Sequence, residues 1–353
     1  MSRLDQYLEA ALKQNASDLH FVSGDPVRAR IHGELQILMD EKLTTETVQE
    51  CIFEIMDGAT QRTFEKEEAA DFAYEIEGVS RFRANAFRHL NGIGGIFRAI
   101  PSTALTLEQL SMPRVIHDLC KQNSGMILVT GKTGSGKSTT LAAMIDAINT
   151  TAKGHILTIE DPIEFVHKTK SSLISQREVG VHSGSFADAL HSALREDPDV
   201  ILVGEMRDLE TISIAVTAAE MGILVMGTLH TNGAAQTVDR IINSFPADKQ
   251  AHIRTMISTS LRGVVSQQLL PTKGKPGRIA ALEVLINTSA VANLIRQGKL
   301  DQLETAMQSG GNVGMQTMDS ALMALVEHAH VAGKEAYLQA NNKSKFERFR
   351  NED

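Results

Sequence analysis

Hydrophobic residues in the first hundred positions follow two different spacings. Helical spacing occurs over residues 4–12 and again over residues 48–55. Short apolar runs around these helices predict strands at residues 18–22, 27–31, 72–76, 81–88 and 96–100. His32-Gly33 predicts a turn, and the glycine-rich segment 91–95 predicts a hairpin loop. The pattern predicts an α+β domain over residues 1–100.

After Val115 the pattern changes to apolar strands that alternate with helices. Predicted strands lie at residues 126–130, 155–159, 200–203 and 223–229, each a short apolar run typical of a parallel sheet buried on both faces. Residues 248–270 predict one long amphipathic helix. The chain from about residue 288 is expected to be helical, with candidate core residues Leu294, Ile295, Met318, Leu322 and Leu325. The charged end, 341–353, is expected to fray.

Between the two patterns, residues 101–113 contain two prolines and several serines and threonines, with little periodicity. This composition predicts a linker. The chain is therefore expected to hold two domains, one over residues 1–100 and an α/β domain over residues 114–353.

Residues 131–138 read Gly-Lys-Thr-Gly-Ser-Gly-Lys-Ser and match the pattern of a phosphate-binding loop, G-x-x-x-x-G-K-[ST]. A predicted strand precedes the loop and a predicted helix follows it, which directs backbone N–H groups toward phosphate. We expect Lys137 to reach the β- and γ-phosphates of a nucleoside triphosphate and Ser138 to ligate Mg²⁺. The expected nucleotide-binding residues are Gly131, Thr133, Gly134, Ser135, Gly136, Lys137, Ser138 and Thr139.

Polar residues suited to triphosphate hydrolysis follow the other predicted strands. The carboxyl ends of parallel strands lie at one edge of a sheet, so these residues are expected to meet. Glu164 is the candidate base that positions the attacking water, and Glu205 is the candidate Mg²⁺ carboxylate. The two roles are open to exchange, and either residue is alternatively a solvated loop carboxylate. His230 is a candidate sensor of the γ-phosphate or a structural histidine.

Arginines form a second cluster in the first domain. Alternation on a strand places Arg81 and Arg83 opposite Phe82, and Arg98 lies on the next predicted strand. Such arginines are either solvated strand residues or groups that stabilise transition-state charge in a neighbouring subunit.

Composition narrows the class of protein. The net charge of −8 gives no support to nucleic-acid binding. Two isolated cysteines, Cys51 and Cys120, argue against a cysteine-based zinc site or a disulfide framework. No signal peptide and no long apolar run is present, so a cytoplasmic location is expected.

Four longer motifs resemble the secretion ATPases of the type II and type IV pilus superfamily. Residues 16–20, Ala-Ser-Asp-Leu-His, are similar to the N-terminal signature of that family. Residues 158–165 are similar to its Asp box, residues 194–205 to its Walker B motif and residues 227–231 to its His box. The resemblance covers nearly the whole chain.

The resemblance implies a PAS-like domain followed by a RecA-like ATPase domain, assembled as a homohexameric ring. It implies that Glu164 is the catalytic base, Glu205 the Walker B glutamate and His230 the sensor. It also implies that Arg83 and Arg98 act on ATP across a subunit interface. ATP and Mg²⁺ are the implied ligands. An inner-membrane pilus platform protein is the implied partner, which places the ring at the membrane periphery under the pilus.

Within the superfamily, the chain resembles the pilus retraction motors more than the assembly motors. It starts almost at the PAS-like domain and has no cysteine-rich insert. Residues 290–297, Ala-Val-Ala-Asn-Leu-Ile-Arg-Gln, depart from the C-terminal signature of the retraction motors, Ala-Ile-Arg-Asn-Leu-Ile-Arg-Glu. An accessory retraction ATPase, which would act with a paralogue, is therefore one alternative. A nucleotide-gated interaction protein with little hydrolysis is another.

Overall fold

A computed structural model describes residues 2–31, 33–100, 104–274 and 277–351. The chain divides into a first unit, Met1–Thr103, and a second unit, Ala104–Asp353. The division falls close to the end of the predicted first domain. Of the predicted linker, residues 101–103 lie outside the described residues, whereas Leu107 and Met112 are buried in the core of the second unit.

The described residues of the first unit form a six-stranded antiparallel sheet and three helices. The sheet order is β3-β2-β1-β6-β5-β4. The elements in chain order are α1 (Asp5–Lys13), β1 (Ala16–Val22), β2 (Pro26–Ile31), β3 (Glu34–Lys42), α2 (Thr45–Ile55), α3 (Gly58–Glu67), β4 (Ala69–Ile76), β5 (Ser80–His89) and β6 (Gly92–Ile100). Leu8, Phe21, Ile52, Phe64 and Phe82 are buried together in its core. Both predicted helices and all five predicted strands are confirmed, and β3 is an additional strand.

The predicted hairpin is confirmed between β5 and β6, but the bounds 91–95 of its loop are wrong, because β5 ends at His89 and β6 already begins at Gly92. Its glycines serve close packing within the strand. A Cβ at Gly94 would lie 2.9 Å from the ring of Phe87, and one at Gly95 would lie 2.8 Å from the ring of Phe97. Glycine in a strand interior often marks such a close approach, so its presence alone did not distinguish a strand from a loop.

The second unit is built on a seven-stranded sheet in the order β13-β12-β7-β11-β10-β8-β9. All neighbouring pairs are parallel except β12 and β13. Its first elements are α4 (Arg114–Leu119), β7 (Gly125–Thr130), α5 (Lys137–Thr151), β8 (His155–Glu160), β9 (Leu173–Glu178), α6 (Phe186–Ala193), β10 (Val200–Val203), α7 (Leu209–Glu220) and β11 (Leu224–Leu229). The later elements are α8 (Ala234–Asn243), α9 (Gln250–Ser260), β12 (Leu261–Pro271), β13 (Arg278–Ile286), α10 (Ser289–Gln297), α11 (Leu303–Ser309), α12 (Met318–Glu327) and α13 (Gly333–Gln339).

The four predicted parallel strands are confirmed as β7, β8, β10 and β11. Every residue of β7, β10 and β11 is buried, and separate hydrophobic clusters cover the two faces of the sheet. Burial on both faces explains why these segments are continuous apolar runs instead of alternating ones.

The predicted helix over residues 248–270 is wrong in its second half. Helix α9 ends at Ser260, and β12 follows at once and pairs with β7. Val264 and Val265 are fully buried on β12. A strand buried on both faces loses its alternation, so its apolar run resembles a continuation of the helix. Strands β9 and β13 were also not predicted.

The expectation of a frayed end is also wrong for residues 341–351, whereas residues 352–353 lie outside the described residues. Residues Lys343–Phe349 form a 3₁₀ segment, in which Phe346 is completely buried and Phe349 nearly so. Both rings pack with Met318, Leu322 and Ala336 of the C-terminal helices. Burial of these two aromatic side chains holds the segment in place although the residues around them are charged. The candidate core residues Ile295, Met318 and Leu322 are buried, and Leu294 and Leu325 are partly buried.

Candidate functional site

The sheet order of the second unit brings the predicted functional segments to one edge. Strands β7, β11, β10 and β8 are consecutive neighbours and all run parallel. Near their carboxyl ends, Thr130 pairs with Leu229, and Val203 pairs with both Gly227 and Ile159. The glycine loop, the segment at Glu205, the segment at His230 and the loop at Glu164 therefore leave the sheet side by side.

The glycine loop leads directly into helix α5. Gly136 precedes the helix with a φ of +87°, a left-handed conformation that favours glycine. Gly131 lies close to β12, and a Cβ there would lie 2.4 Å from the carbonyl oxygen of Gln267. These two positions fix the turn that points the first N–H groups of a 15-residue helix into the loop.

Lys137 is the first residue of α5, and its side chain folds back over the loop. Its Nζ donates hydrogen bonds to the carbonyl oxygens of Gly131 at 2.9 Å and Lys132 at 3.1 Å. Burial lowers the pKa of the Lys137 ammonium, and the negative charge of Glu205 partly opposes that shift. Lys137 and Glu205 are therefore within electrostatic reach of one another.

Gln267 on β12 braces the loop and was missed by the sequence analysis. Its Nε2 donates to the carbonyl oxygen of Ser135 at 2.7 Å, and its Oε1 accepts from Thr140 Oγ1 at 2.7 Å. Ser135 Oγ is buried, and no partner for it exists among the described residues. The available signal was a polar Ser-Gln-Gln triplet inside an apolar run, which the incorrect helix assignment obscured.

Glu205 lies at the centre of a cluster of cationic and ionisable side chains. Arg207 contacts both carboxylate oxygens, Nε to Oε1 at 2.6 Å and Nη2 to Oε2 at 2.7 Å. His230 Nε2 lies 3.2 Å from Oε1. The hydrogen bond from Arg207 holds the pKa of Glu205 below its usual range, although partial burial opposes this. The ionised form of Glu205 is thus favoured. The predicted proximity of Glu205 and His230 is confirmed by their contact.

The loop after β8 is held by two buried carboxylates. Glu160 accepts hydrogen bonds from Thr158 Oγ1 at 2.7 Å and from the Glu164 backbone N–H at 3.3 Å. Burial raises the pKa of Glu160. Glu178 accepts from the Ile163 N–H at 3.2 Å. Glu160 therefore braces the loop, while the Glu164 side chain is exposed.

The segment after His230 is anchored by residues that the sequence analysis did not identify. Ser266 accepts from the Gly233 N–H at 2.9 Å, and buried Glu283 accepts from the Ala234 N–H at 2.7 Å. Glu283 also accepts from the Met318 N–H at 3.2 Å, so one carboxylate serves the N-termini of α8 and α12. Burial raises the pKa of Glu283.

The two candidate arginines lie on the first unit. Arg83 on β5 and Arg98 on β6 are direct cross-strand partners, and both are exposed. Arg98 Nε lies 2.8 Å from Oδ1 of Asp18 on β1. Burial would raise the pKa of Asp18, but hydrogen bonds from Ser17 and Arg98 lower it. The register places both arginine side chains on the same face of the sheet, and Asp18 holds that of Arg98.

Comparison with known proteins identifies the class. The family model of the type II/IV secretion system proteins matches residues 1–333. The chain belongs to this family, and the resemblance found in its motifs is confirmed.

Within this family, two relatives and one solved structure show which members the chain is similar to. The chain is 49% identical over 333 residues to the type IV pilus retraction ATPase PilT of Pseudomonas aeruginosa. The aligned region covers 94% of this chain and 96% of that protein. It is 38% identical to the type IV pilus ATPase PilU of the same organism, over 96% of this chain and 88% of that one. A crystal structure of the pilus retraction motor PilT with bound ADP superposes with a TM-score of 0.91 at 44% identity, over 99% of both chains. The α/β fold is therefore that of the retraction motors.

Proposed function

We propose that this protein is an ATPase motor that drives retraction of type IV pili. The observation that carries the proposal is the sheet edge at which Lys137, Glu205 and His230 are assembled. Higher identity to PilT than to PilU favours the retraction motor over the accessory ATPase. The departure within residues 290–297, on helix α10, keeps the accessory role as the second candidate.

We infer a RecA-like P-loop fold for the second unit and a PAS-like fold for the first. The phosphates of ATP would lie on the glycine loop, against the N–H groups of residues 131–139. The buried hydroxyl of Ser135, for which the described residues offer no partner, supports a phosphate oxygen as its acceptor. Lys137 would exchange its contacts with loop carbonyls for contacts with phosphate.

The oxygens of Ser138 and Glu205 are of the type that Mg²⁺ prefers, so these residues fit the ion. Ser138 lies in the first turn of α5, at the same sheet edge as Glu205. When bound, Mg²⁺ neutralises charge on the phosphates. Glu205 would hold it through water, since Mg²⁺ sites usually retain several waters.

Hydrolysis would need a water in line with the γ-phosphate. We assign Glu164 as the base that orients this water, because its side chain is exposed and its loop leaves the sheet next to the segment that carries Glu205. Exchange of the Glu164 and Glu205 roles remains the alternative. His230 would donate a hydrogen bond to the γ-phosphate and report its presence to Glu205, which it already contacts.

Arg83 and Arg98 would complete the site of a neighbouring subunit and stabilise the charge that develops on the phosphate. This arrangement requires a ring, and we propose a homohexamer. An inner-membrane pilus platform protein would receive the motion, which places the ring on the cytoplasmic side at the pilus base. Within the described residues, no helix is long and apolar enough to cross a membrane.

ATP hydrolysis by the purified protein tests the proposal. We expect Lys137→Ala and Glu205→Ala to abolish turnover, with Arg240→Ala, on the exposed last turn of α8, as the matched control. Turnover near that of the wild type in both site variants would reject the site. A single-turnover measurement on the wild type separates a motor from a nucleotide-gated interaction protein.

Deletion of the gene tests the direction of the motor. Excess, immotile pili would support retraction, whereas cells without pili would indicate assembly and contradict the proposal.

A further inference from the structure

Arg207 makes a two-point ion pair at the sheet edge, yet the hydrolysis scheme above gives it no role. Its guanidinium bonds both oxygens of Glu205, at 2.6 and 2.7 Å. Such two-point pairs between arginine and carboxylate are stronger than single charge-assisted bonds and fix the plane of the carboxylate. The Glu205 side chain is only 20% exposed, whereas that of Arg207 is 69% exposed. The carboxylate is therefore the fixed partner, and the guanidinium reaches it from the solvent side.

The pair engages the same oxygens that Glu205 would use toward Mg²⁺. A metal-bound water donates its hydrogens to carboxylate lone pairs, and two of those lone-pair sites accept from Arg207. The guanidinium and the metal are also both cations and repel each other at short range. Arg207 and Mg²⁺ therefore compete for Glu205.

Asp161 offers the guanidinium a second partner. It lies on the loop after β8, next to Glu160, and its carboxylate is exposed. Strands β8 and β10 are neighbours, and the Gly204 N–H donates to the Ile159 carbonyl oxygen at 2.7 Å, so the segments that carry Asp161 and Arg207 leave the sheet side by side. Hydrogen bonding and charge from Glu205 raise the pKa of Arg207, and the charge of Asp161 adds to that effect. The groups near the other side of Glu205 are His230 and the ammonium of Lys137, neither of which attracts an arginine. A guanidinium released from Glu205 therefore has an exposed carboxylate on the neighbouring segment as an alternative partner.

We propose that Arg207 is a positioning residue that moves between Glu205 and Asp161 and thereby sets the Mg²⁺ dependence of nucleotide binding. On Glu205 it orients the carboxylate and opposes metal binding. On Asp161 it frees Glu205 for a metal-bound water and joins the Walker B segment to the Asp-box loop. This inference rests on the proposed function, because it requires that Glu205 faces a magnesium–nucleotide complex.

The test is binding of a fluorescent, non-hydrolysable ATP analogue to the full-length protein during a Mg²⁺ titration. We expect Arg207→Ala to lower the Mg²⁺ concentration at half-maximal binding by about three- to tenfold, as removal of a well-formed pair at a partly exposed site predicts. Asp161→Asn should shift it in the opposite direction, by about twofold, because the guanidinium then has only Glu205. Arg207→Lys, which keeps the charge without the two-point geometry, should lie between Arg207→Ala and the wild type.

The controls separate the inference from the proposed function. Arg240→Ala should match the wild type, and binding of the analogue without Mg²⁺ should be equal in Arg207→Ala and the wild type. If Arg207→Ala leaves the Mg²⁺ concentration at half-maximal binding unchanged or raises it, Arg207 does not compete with Mg²⁺. If Asp161→Asn lowers this concentration, as Arg207→Ala is expected to do, Arg207 does not exchange between Glu205 and Asp161. Absence of nucleotide binding by the wild type would reject the proposed function, and this inference with it.

Discussion

Gln267 shows how one side chain joins the nucleotide loop to the sheet. It is buried on β12, and its amide satisfies both the Ser135 carbonyl and the Thr140 hydroxyl. The two contacts lie on either side of Lys137, so they hold the loop and the first turn of α5 in one conformation. A buried polar group that loses its partner costs about 1–3 kcal/mol.

Replacement of Gln267 by alanine is therefore expected to lower both stability and nucleotide affinity. We expect a loss of about 1–3 kcal/mol in the free energy of unfolding, and several-fold weaker binding of an ATP analogue. Thermal unfolding and fluorescence titration measure the two effects. Gln308→Ala is the control, since Gln308 is an exposed glutamine on α11. Equal effects of both substitutions would argue against the brace.

Glu160 predicts a pH dependence of stability. Its buried carboxyl has a pKa raised above the usual 4.5, so the folded state binds this proton more tightly than the unfolded state. This contribution to stability is complete below 4.5 and is lost as the pH rises through the raised pKa. Glu160→Gln cannot titrate, and its unfolding free energy should fall less with rising pH over that window. Urea unfolding across a pH series measures this, with exposed Glu210→Gln as the control. Parallel curves for the wild type and Glu160→Gln would contradict the assignment.

At the scale of elements, the C-terminal 3₁₀ segment Lys343–Phe349 acts as part of the core. Phe346 is fully buried among residues of α12 and α13. Side chains that flank it are charged, and Arg348 stacks 4.5 Å from the Phe349 ring. Two aromatic residues thus keep a polar segment in place.

Phe346→Ala should destabilise the second unit by about 3–5 kcal/mol, the usual cost of removing a buried aromatic ring. Chemical unfolding gives the value. Leu338→Ala on the neighbouring helix α13 is the control, because Leu338 is 57% exposed and should contribute little to the free energy of unfolding. A loss as small as that of the control would mean that the segment does not hold its packed position in solution.

The sequence predicted most elements where periodicity was unambiguous. The strands β7, β8, β10 and β11 were predicted correctly because burial on both faces produces short apolar runs between helices. The same property concealed β12, since its apolar run directly follows α9. For the site, motif spacing indicated Lys137, Glu205 and His230 as candidates. Gln267 and Glu283 act through tertiary contacts across 132 and 49 residues, so a local pattern such as the Ser-Gln-Gln triplet marks a buried polar residue without identifying its partner.

At the scale of the whole molecule, the candidate catalytic groups lie on separate units. Lys137, Glu164, Glu205 and His230 belong to the second unit, whereas the exposed Arg83 and Arg98 belong to the first. The proposed ring would supply the arginines from a neighbouring subunit.

Assemblies that mix two variants test whether the arginines act on the site of a neighbouring subunit. Arg83→Ala and Glu205→Ala should each be inactive alone but regain part of the activity when mixed, because some interfaces then combine an intact arginine pair with an intact Glu205. ATP turnover at several mixing ratios is the measurement. Complete inactivity at every ratio would place the arginines outside the site.

The consecutive order of β7, β11, β10 and β8 also limits how the protein can do mechanical work. Strands lie about 4.8 Å apart, so four neighbours form a floor roughly 14 Å wide beneath the candidate site. Any sliding of one strand past the next would break a full row of backbone hydrogen bonds. The four strands are therefore expected to move together as one rigid body during a catalytic cycle.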